Sequence, residues 1–470
     1  IILKSVKLKN KSLSKDLKLN IIKEESHADI STKLVIQNIS INSKTVKKND
    51  IFFAIKGKKN DGNKFVSESF KRKSSLAIVN RINKNYPLSK QIKVKNSINF
   101  MSKCSSIFRN NIDTKIISIT GSCGKTTLKE MIGLTLKKIS KTTYSSKSFN
   151  NKYGVPLSLF NLKFDDKFGV LEVGMDKKGE INNLTKIIRP DLGIITNISY
   201  AHSKNFKNIN QIAKAKGEII NNIKKGGVLV LNNDDQFYKY HKNLAKKRNL
   251  RVISFGIKNK FSMIKLVGVK KIKSNFELSV NVSGVGVSFY SKNDNISNIY
   301  NILATLAVID FFSCIKNLQK NTFVNLKTPS GRGDISKVKL KNKKIFLVDE
   351  TYNSNPLSLK TAIENYDKIE SKNSQKYLIL GDMLELGKHS VKQHQLISNI
   401  INRTKIKKVF VIGKYIKETY KGLKSKKKGK ILYKNFSIID LINKNLNNND
   451  YLMIKGSNST GLHEIIRELK

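Results

Sequence analysis

A glycine-bearing turn between a strand and a helix constrains this chain more than any other segment. Residues 115–120, KIISIT, form an apolar, β-branched run. Gly121-Ser122-Cys123-Gly124-Lys125-Thr126-Thr127 follows, and then a stretch with helical periodicity, LKEMIGLTLKKI. Glycines let successive backbone N–H groups turn inward on one anion, and a helix N-terminus adds a favourable dipole. Lys125 supplies a point charge, the Thr126 hydroxyl suits a magnesium ion, and Cys123 reads as a small tolerated side chain. The usual phosphate loop has four residues between its glycines, whereas two separate Gly121 from Gly124. The setting predicts a nucleotide-phosphate site on a parallel α/β sheet.

The surrounding pattern extends that expectation. Apolar strands are expected at 168–173, 191–198 and 227–231, with a helix around 209–223, and such sheets place their sites at strand ends. After the turn formers at 328–331 a second alternation begins, with KIFLVD, KYLILGD, KKVFVIG and YLMIKGS as strands and Pro356 opening a helix. At about 150 residues per domain, the 470 residues divide into about three. The expected units are a small N-terminal α/β domain at 1–112, a central parallel-sheet domain at 113–327 and a Rossmann-like domain at 328–470.

Composition removes several alternatives. The formal charge of +56 invites a nucleic-acid reading, yet only nine of the 90 basic residues are Arg, the side chain suited to bidentate phosphate and guanine contacts. Lys is spread through every region and Trp is absent, so a basic nucleic-acid-binding ATPase is the weaker alternative and no nucleic-acid partner is expected. Runs such as KSKKKGK at 424–430 read as solvated loop. Cys104, Cys123 and Cys314 have neither paired spacing nor His at metal-ligand intervals, which argues against disulfides and zinc and for a reducing cytoplasm. The apolar stretch 300–315 contains Asn301 and Asp310 and reads as a buried helix rather than a membrane span. No signal core follows Ile1, so no secretion signal is expected.

Three further residues stand where chemistry could use them: Glu172 at the end of FGVLE, His202 in SYAHSKNF and Lys216 in IAKAKGEII. Taken in this order with the short phosphate loop, Gly331-Arg332 and DETYNSNP at 349–356, they resemble the ATP-dependent Mur ligase family of peptidoglycan synthesis. Within it, SFNNKYGVPLSLFNL, LEVGMDKKGEINNL, DETYNSNPLSLKTAI and LGDMLELG look like the branch that adds D-alanyl-D-alanine. The segment 41–65 is similar to that branch's uridine-nucleotide-binding start.

The resemblance implies a three-domain ligase that uses ATP and Mg²⁺ to join D-alanyl-D-alanine to a UDP-N-acetylmuramoyl-tripeptide through an acyl phosphate. It carries Gly121 through Thr127 onto the phosphates, Thr126, Glu172 and His202 onto metal, and Lys125, Glu172, His202, Lys216 and Arg332 onto catalysis. Lys216 matches a position that is N-carboxylated in relatives. Asn301 matches an adenine contact, Arg332 an inter-domain nucleotide contact and Asp349 a ribose contact. Asn150, Asn151, Asn353 and Asn355 fall on the substrate side, and Ser43, Lys44, Asp61 and Gly62 in the uridine pocket. Lys44 stands where the family commonly has Arg, Ser297 where a His is frequent, and Glu350 where a second Asp is usual. A sister Mur ligase or a folylpolyglutamate-synthase-like enzyme is the alternative of the same kind. A cytoplasmic monomer without membrane insertion is expected.

Overall fold

The computed structural model describes residues 17–30, 34–57, 60–324, 326, 329–340, 343–370, 373–433 and 437–469. The boundary expected at 327–328 lies outside them. Among the described residues the strands form sheets of four, nine and six strands. The N-terminal sheet runs Ile39–Ser40, Ile51–Phe53, Leu76–Val79, Gln91–Lys93, all parallel.

In the central sheet the phosphate-loop strand Lys115–Thr120 lies between Phe168–Glu172 and Leu192–Ile195, with Thr142–Tyr144 at one edge and Val228–Asn232 and Arg251–Gly256 continuing on the other side. These strands are parallel and buried on both faces, which is why they read as continuous apolar runs. Alternation still sorts their side chains: Leu229 and Leu231 enter the core on one face, Val228 and Val230 that on the other. The sheet goes on through an unanticipated three-stranded antiparallel ribbon, Ile264–Ile272, Asn275–Val282 and Val285–Ser291. Its turns place Lys273, Ser283 and Gly284 at positive φ. The ribbon's mixed Lys and apolar pattern suits a half-exposed sheet. The 300–315 stretch is helical as far as Phe311, within the helix Ile296–Phe311 that is buried from Asn301 to Ile309, and its last four residues form the turn that follows. No helix among the described residues is long and apolar enough to cross a membrane.

The C-terminal sheet orders as Asp334–Leu340, Lys343–Glu350, Tyr451–Lys455, Lys376–Gly381, Lys408–Ile412, Lys428–Leu432, with only its first pair antiparallel. Separate apolar clusters cover its two faces.

The two neighbours of the central sheet attach to it differently. One apolar cluster runs without a break from Leu17, Ile51 and Phe108 into Leu159, Ile181 and Leu229. Within it Arg109 is buried, with Nε donating to Ile188 O at 2.8 Å and Nη2 to Asp191 Oδ2 at 2.8 Å, and Nη1 to Thr114 O at 3.0 Å. The C-terminal sheet meets the central one through polar side chains around a cavity of about 1060 Å³.

Candidate active site

The floor of that cavity is the turn after Lys115–Thr120. Gly121 has φ +143°, and a Cβ there would lie 1.9 Å from Thr196 Oγ1, so the closeness of the neighbouring strand end excludes a side chain. Gly124, at φ +80°, opens the helix Lys125–Lys137. Neighbouring loops hold the turn open: Ser122 N donates to Asn197 O at 2.9 Å, Cys123 N to Asn197 Oδ1 at 2.9 Å, and Thr196 Oγ1 to Cys123 O at 2.6 Å. Ser122 Oγ and the Ser199 backbone exchange two further bonds. Lys125 Nζ and Lys216 Nζ both donate to Gly121 O at 2.9 Å. Lys216 is fully buried; burial, and then Lys125, hold its pKa well below the usual lysine range.

Glu172 is 1% exposed at the end of its strand and accepts from Thr126 Oγ1 at 2.7 Å and Asn150 Nδ2 at 2.7 Å. Among the described residues no cation lies within ion-pair distance of this side chain, and its two donors are neutral. A magnesium ion, which takes one or two carboxylates, a hydroxyl and substrate phosphate oxygens, fits that donor set. His202 lines the same cavity at φ +53°, with Nδ1 2.5 Å from Glu385 Oε2. Among the described residues no three His, Cys, Asp or Glu gather as a self-sufficient metal cage.

The opposite wall comes from the C-terminal sheet. Asn355 caps the helix Pro356–Lys368 with a capping box, and its Oδ1 accepts from Cys123 Sγ at 3.0 Å. Tyr352 bonds Ser148, whose Oγ in turn lies 3.2 Å from Thr126 Oγ1. The Arg332 guanidinium stacks 4.1 Å from the Tyr352 ring centre. Lys455, 2% exposed at its side chain, fixes the turn beneath by donating to Glu350 Oε2 at 3.1 Å and Asn353 O at 3.0 Å.

The fold therefore gathers Ser122 through Thr127, Asn150, Glu172 and His202 with Asn301, Arg332, Asn353 and Asn355 around one cavity. Gly121 opens the turn, and Lys216 stands directly behind it, bonded to Gly121 O. Asn151 instead braces the turn that leads into the helix Gly154–Phe160, its Oδ1 accepting from Tyr153 N and Gly154 N. Asp349 is 3% exposed with Oδ1 turned onto Thr351, and it is Glu350 that faces the cavity. Ser43, Lys44, Asp61 and Gly62 lie beside the N-terminal sheet, in the short 3-10 turns Ser43–Thr45 and Gly62–Phe65 with Asp61 opening the second. There Ser43 Oγ donates to Glu68 at 2.7 Å, Asp61 caps Gly62–Phe65 and lies 3.6 Å from Arg81, and Lys44 is exposed.

Sequence reasoning missed Ser148, Tyr352, Glu385 and Lys129. Lys129 is a wholly buried lysine one turn beyond Lys125 that donates to Ser145 O at 2.5 Å and Lys147 O at 2.6 Å, anchoring the segment that carries Ser148 and Asn150. No local signal marks it, since Lys125 and Thr126 stand one turn before it in the sequence.

Comparison with known proteins agrees with this geometry. Residues 119–309 match the Mur ligase middle domain and 336–458 the Mur ligase, glutamate ligase domain. The UDP-N-acetylmuramoyl-tripeptide--D-alanyl-D-alanine ligase of Buchnera aphidicola subsp. Acyrthosiphon pisum is 31% identical over 449 residues, covering 93% of this chain and 94% of that protein. The Bacillus subtilis ligase of the same name is 27% identical, with 93% of each covered. Among solved structures, MurF from Acinetobacter baumannii superposes with a TM-score of 0.83 at 23% identity, covering 96% of this chain and 98% of that one.

Proposed function

This chain belongs to the Mur ligase family, and we propose that within it the enzyme joins D-alanyl-D-alanine to UDP-N-acetylmuramoyl-tripeptide at the expense of ATP. The observation that carries the reading is the match, over nearly the whole length of both chains, to a relative bearing that activity in its name. The cavity supplies compatible equipment. It offers a phosphate turn, a buried carboxylate beside a hydroxyl, and a facing wall from which a second substrate can approach.

In this reaction the terminal carboxylate of the tripeptide attacks the γ-phosphorus of ATP, ADP leaves, and an acyl phosphate forms. The dipeptide amine then adds to the acyl carbon, and the tetrahedral intermediate collapses with loss of phosphate. Such chemistry needs neutralised phosphate charge and close positioning of two reactants more than a protein nucleophile. Lys125 and the N–H groups from Gly124 to Thr127 receive the phosphates, while Asn301 and Arg332, which line the cavity, are assigned to the nucleoside end. Thr126, Glu172 and His202 would hold Mg²⁺, which would polarise the γ-phosphate when bound. Burial keeps the Lys216 amine toward its neutral form, the form that adds carbon dioxide, so carboxylation there is part of the proposal and intact mass after gentle handling tests it.

The N-terminal unit, 1–112, takes the uridine nucleotide through Ser43, Lys44, Asp61 and Gly62. The central unit, 113–327, takes ATP, and the C-terminal unit, 328–470, takes the amine. Asn150, Asn353 and Asn355, which line the cavity, serve the acyl and amine side. The enzyme works as a cytoplasmic monomer. ADP release with ATP, Mg²⁺ and UDP-N-acetylmuramoyl-tripeptide tests the function: turnover should require D-alanyl-D-alanine. Turnover only with a single amino acid would move the chain to a sister ligase, and none with any amine would overturn the reading.

A further inference from the structure

Resting on that reading, we propose that Glu385, on the C-terminal sheet's side of the cleft, is a positioning residue that sets the orientation and tautomer of His202 when the two sides meet. The loop 200–206 leaves the central sheet and meets the loop 383–389 at several points. Glu385 O accepts from Lys204 N at 2.9 Å, Leu386 O from Ser203 Oγ at 3.3 Å, and His389 Nε2 lies 3.1 Å from Phe206 O. Gly387, at φ +58°, packs so closely that a Cβ there would stand 2.8 Å from Lys204 Cα. Within this contact Glu385 Oε2 reaches His202 Nδ1 at 2.5 Å. Both residues hold left-handed backbone, φ +53° for His202 and +64° for Glu385, conformations that non-glycine residues adopt at a cost and that aim these two side chains at each other.

A carboxylate only accepts, so Nδ1 carries the hydrogen and a neutral His202 has its lone pair on Nε2, available to the cavity that both residues line. Lys204, whose Nζ lies 3.6 Å from Asp176, is the nearby cation on the same loop. The two side chains are 32% and 48% exposed, so the pair adds little to stability and its use is orientation. Partners that fix a metal-binding histidine this way are typically worth 10- to 100-fold in affinity or activity. The loop is held from behind as well, since Leu384 N donates to Ser457 Oγ at 2.8 Å.

The test uses the full-length enzyme with ¹⁵N-labelled histidine, a non-hydrolysable ATP analogue and EDTA. The His202 ring should show the Nδ1–H tautomer, and Glu385→Ala should shift it toward Nε2–H. An Nε2–H tautomer in the wild type, or identical spectra in the two proteins, overturns the proposal. In steady state, Glu385→Ala should lower kcat about 10- to 100-fold with KM for ATP unchanged. Glu385→Gln, whose carbonyl oxygen still accepts from Nδ1–H, should recover part of the loss. Both variants keep the strained backbone of residue 385 and should melt with the wild type; a normal kcat in Glu385→Ala contradicts the role. If the wild type ligates no amine, the proposed reaction fails while the histidine spectra still judge the contact.

Discussion

The N-terminal and C-terminal sheets flank the same central sheet, yet they are joined to it by opposite means. Toward the N-terminal side the join is an extension of the core: one apolar cluster crosses it, and buried Arg109 ties the helix Ser97–Asn110 to Ile188, Arg189 and Asp191. Toward the C-terminal side, apart from Tyr200, which packs on both apolar clusters, it is a set of separate polar contacts, Cys123 with Asn355, Ser148 with Tyr352, His202 with Glu385 and Lys271 with Glu370, spread around an open cavity. Core-like joins resist separation, whereas polar ones exchange readily with water. The difference teaches that substrate admission and site assembly belong to the second join, with the first acting as a rigid footing.

Substitutions can break this contrast at either end. The largest effect is expected in the floor of the cleft: Lys125→Ala should lower ATP turnover about 10³-fold, as loss of one contact to developing charge does, while the melting temperature stays near wild type. Next comes the footing. Arg109→Met removes the innermost of three cations around Asp191, leaving Lys224 at 3.4 Å and Lys115 at 4.0 Å, and strips several buried carbonyls of their donors; urea denaturation should find the protein about 3 kcal/mol less stable, with ATP turnover per folded molecule unchanged. Arg332→Ala removes the stack on Tyr352 and should weaken nucleotide-dependent closure by about tenfold in kcat/KM for ATP. Asn355→Ala should cost about 1 kcal/mol through its lost helix cap alone, with a further kinetic defect because Cys123 loses its partner. The smallest effect belongs to the rim: Lys271→Ala breaks an exposed pair, its side chains 57% and 84% accessible, and should change stability by less than about 1 kcal/mol. A rim effect as large as the footing's would erase the contrast.

What the sequence disclosed follows the same division. The phosphate turn, the Glu172 strand end and the alternation of strands and helices are local patterns, and local patterns survive in a one-dimensional reading. Glu385 lies 183 residues from His202, and Tyr352 lies 204 from Ser148, so no periodicity links them. Lys129 looked like any surface lysine, because its burial depends on carbonyls of the segment 145–147. Asp349 belongs to a motif whose side chains divide between the turn's own hydrogen bonds and the cavity, a division set by backbone direction rather than residue type. The ribbon 264–291 was overlooked because its half-polar strands lack the apolar runs that marked the buried ones.

Amide hydrogen exchange on the full-length enzyme, with and without a non-hydrolysable ATP analogue and Mg²⁺, tests the two-join account most directly. Nucleotide should slow exchange in 200–206, 350–358 and 383–389, and leave 104–112 and 188–195 as protected as before. Protection that rises equally at both joins, or only at the N-terminal one, would contradict the account.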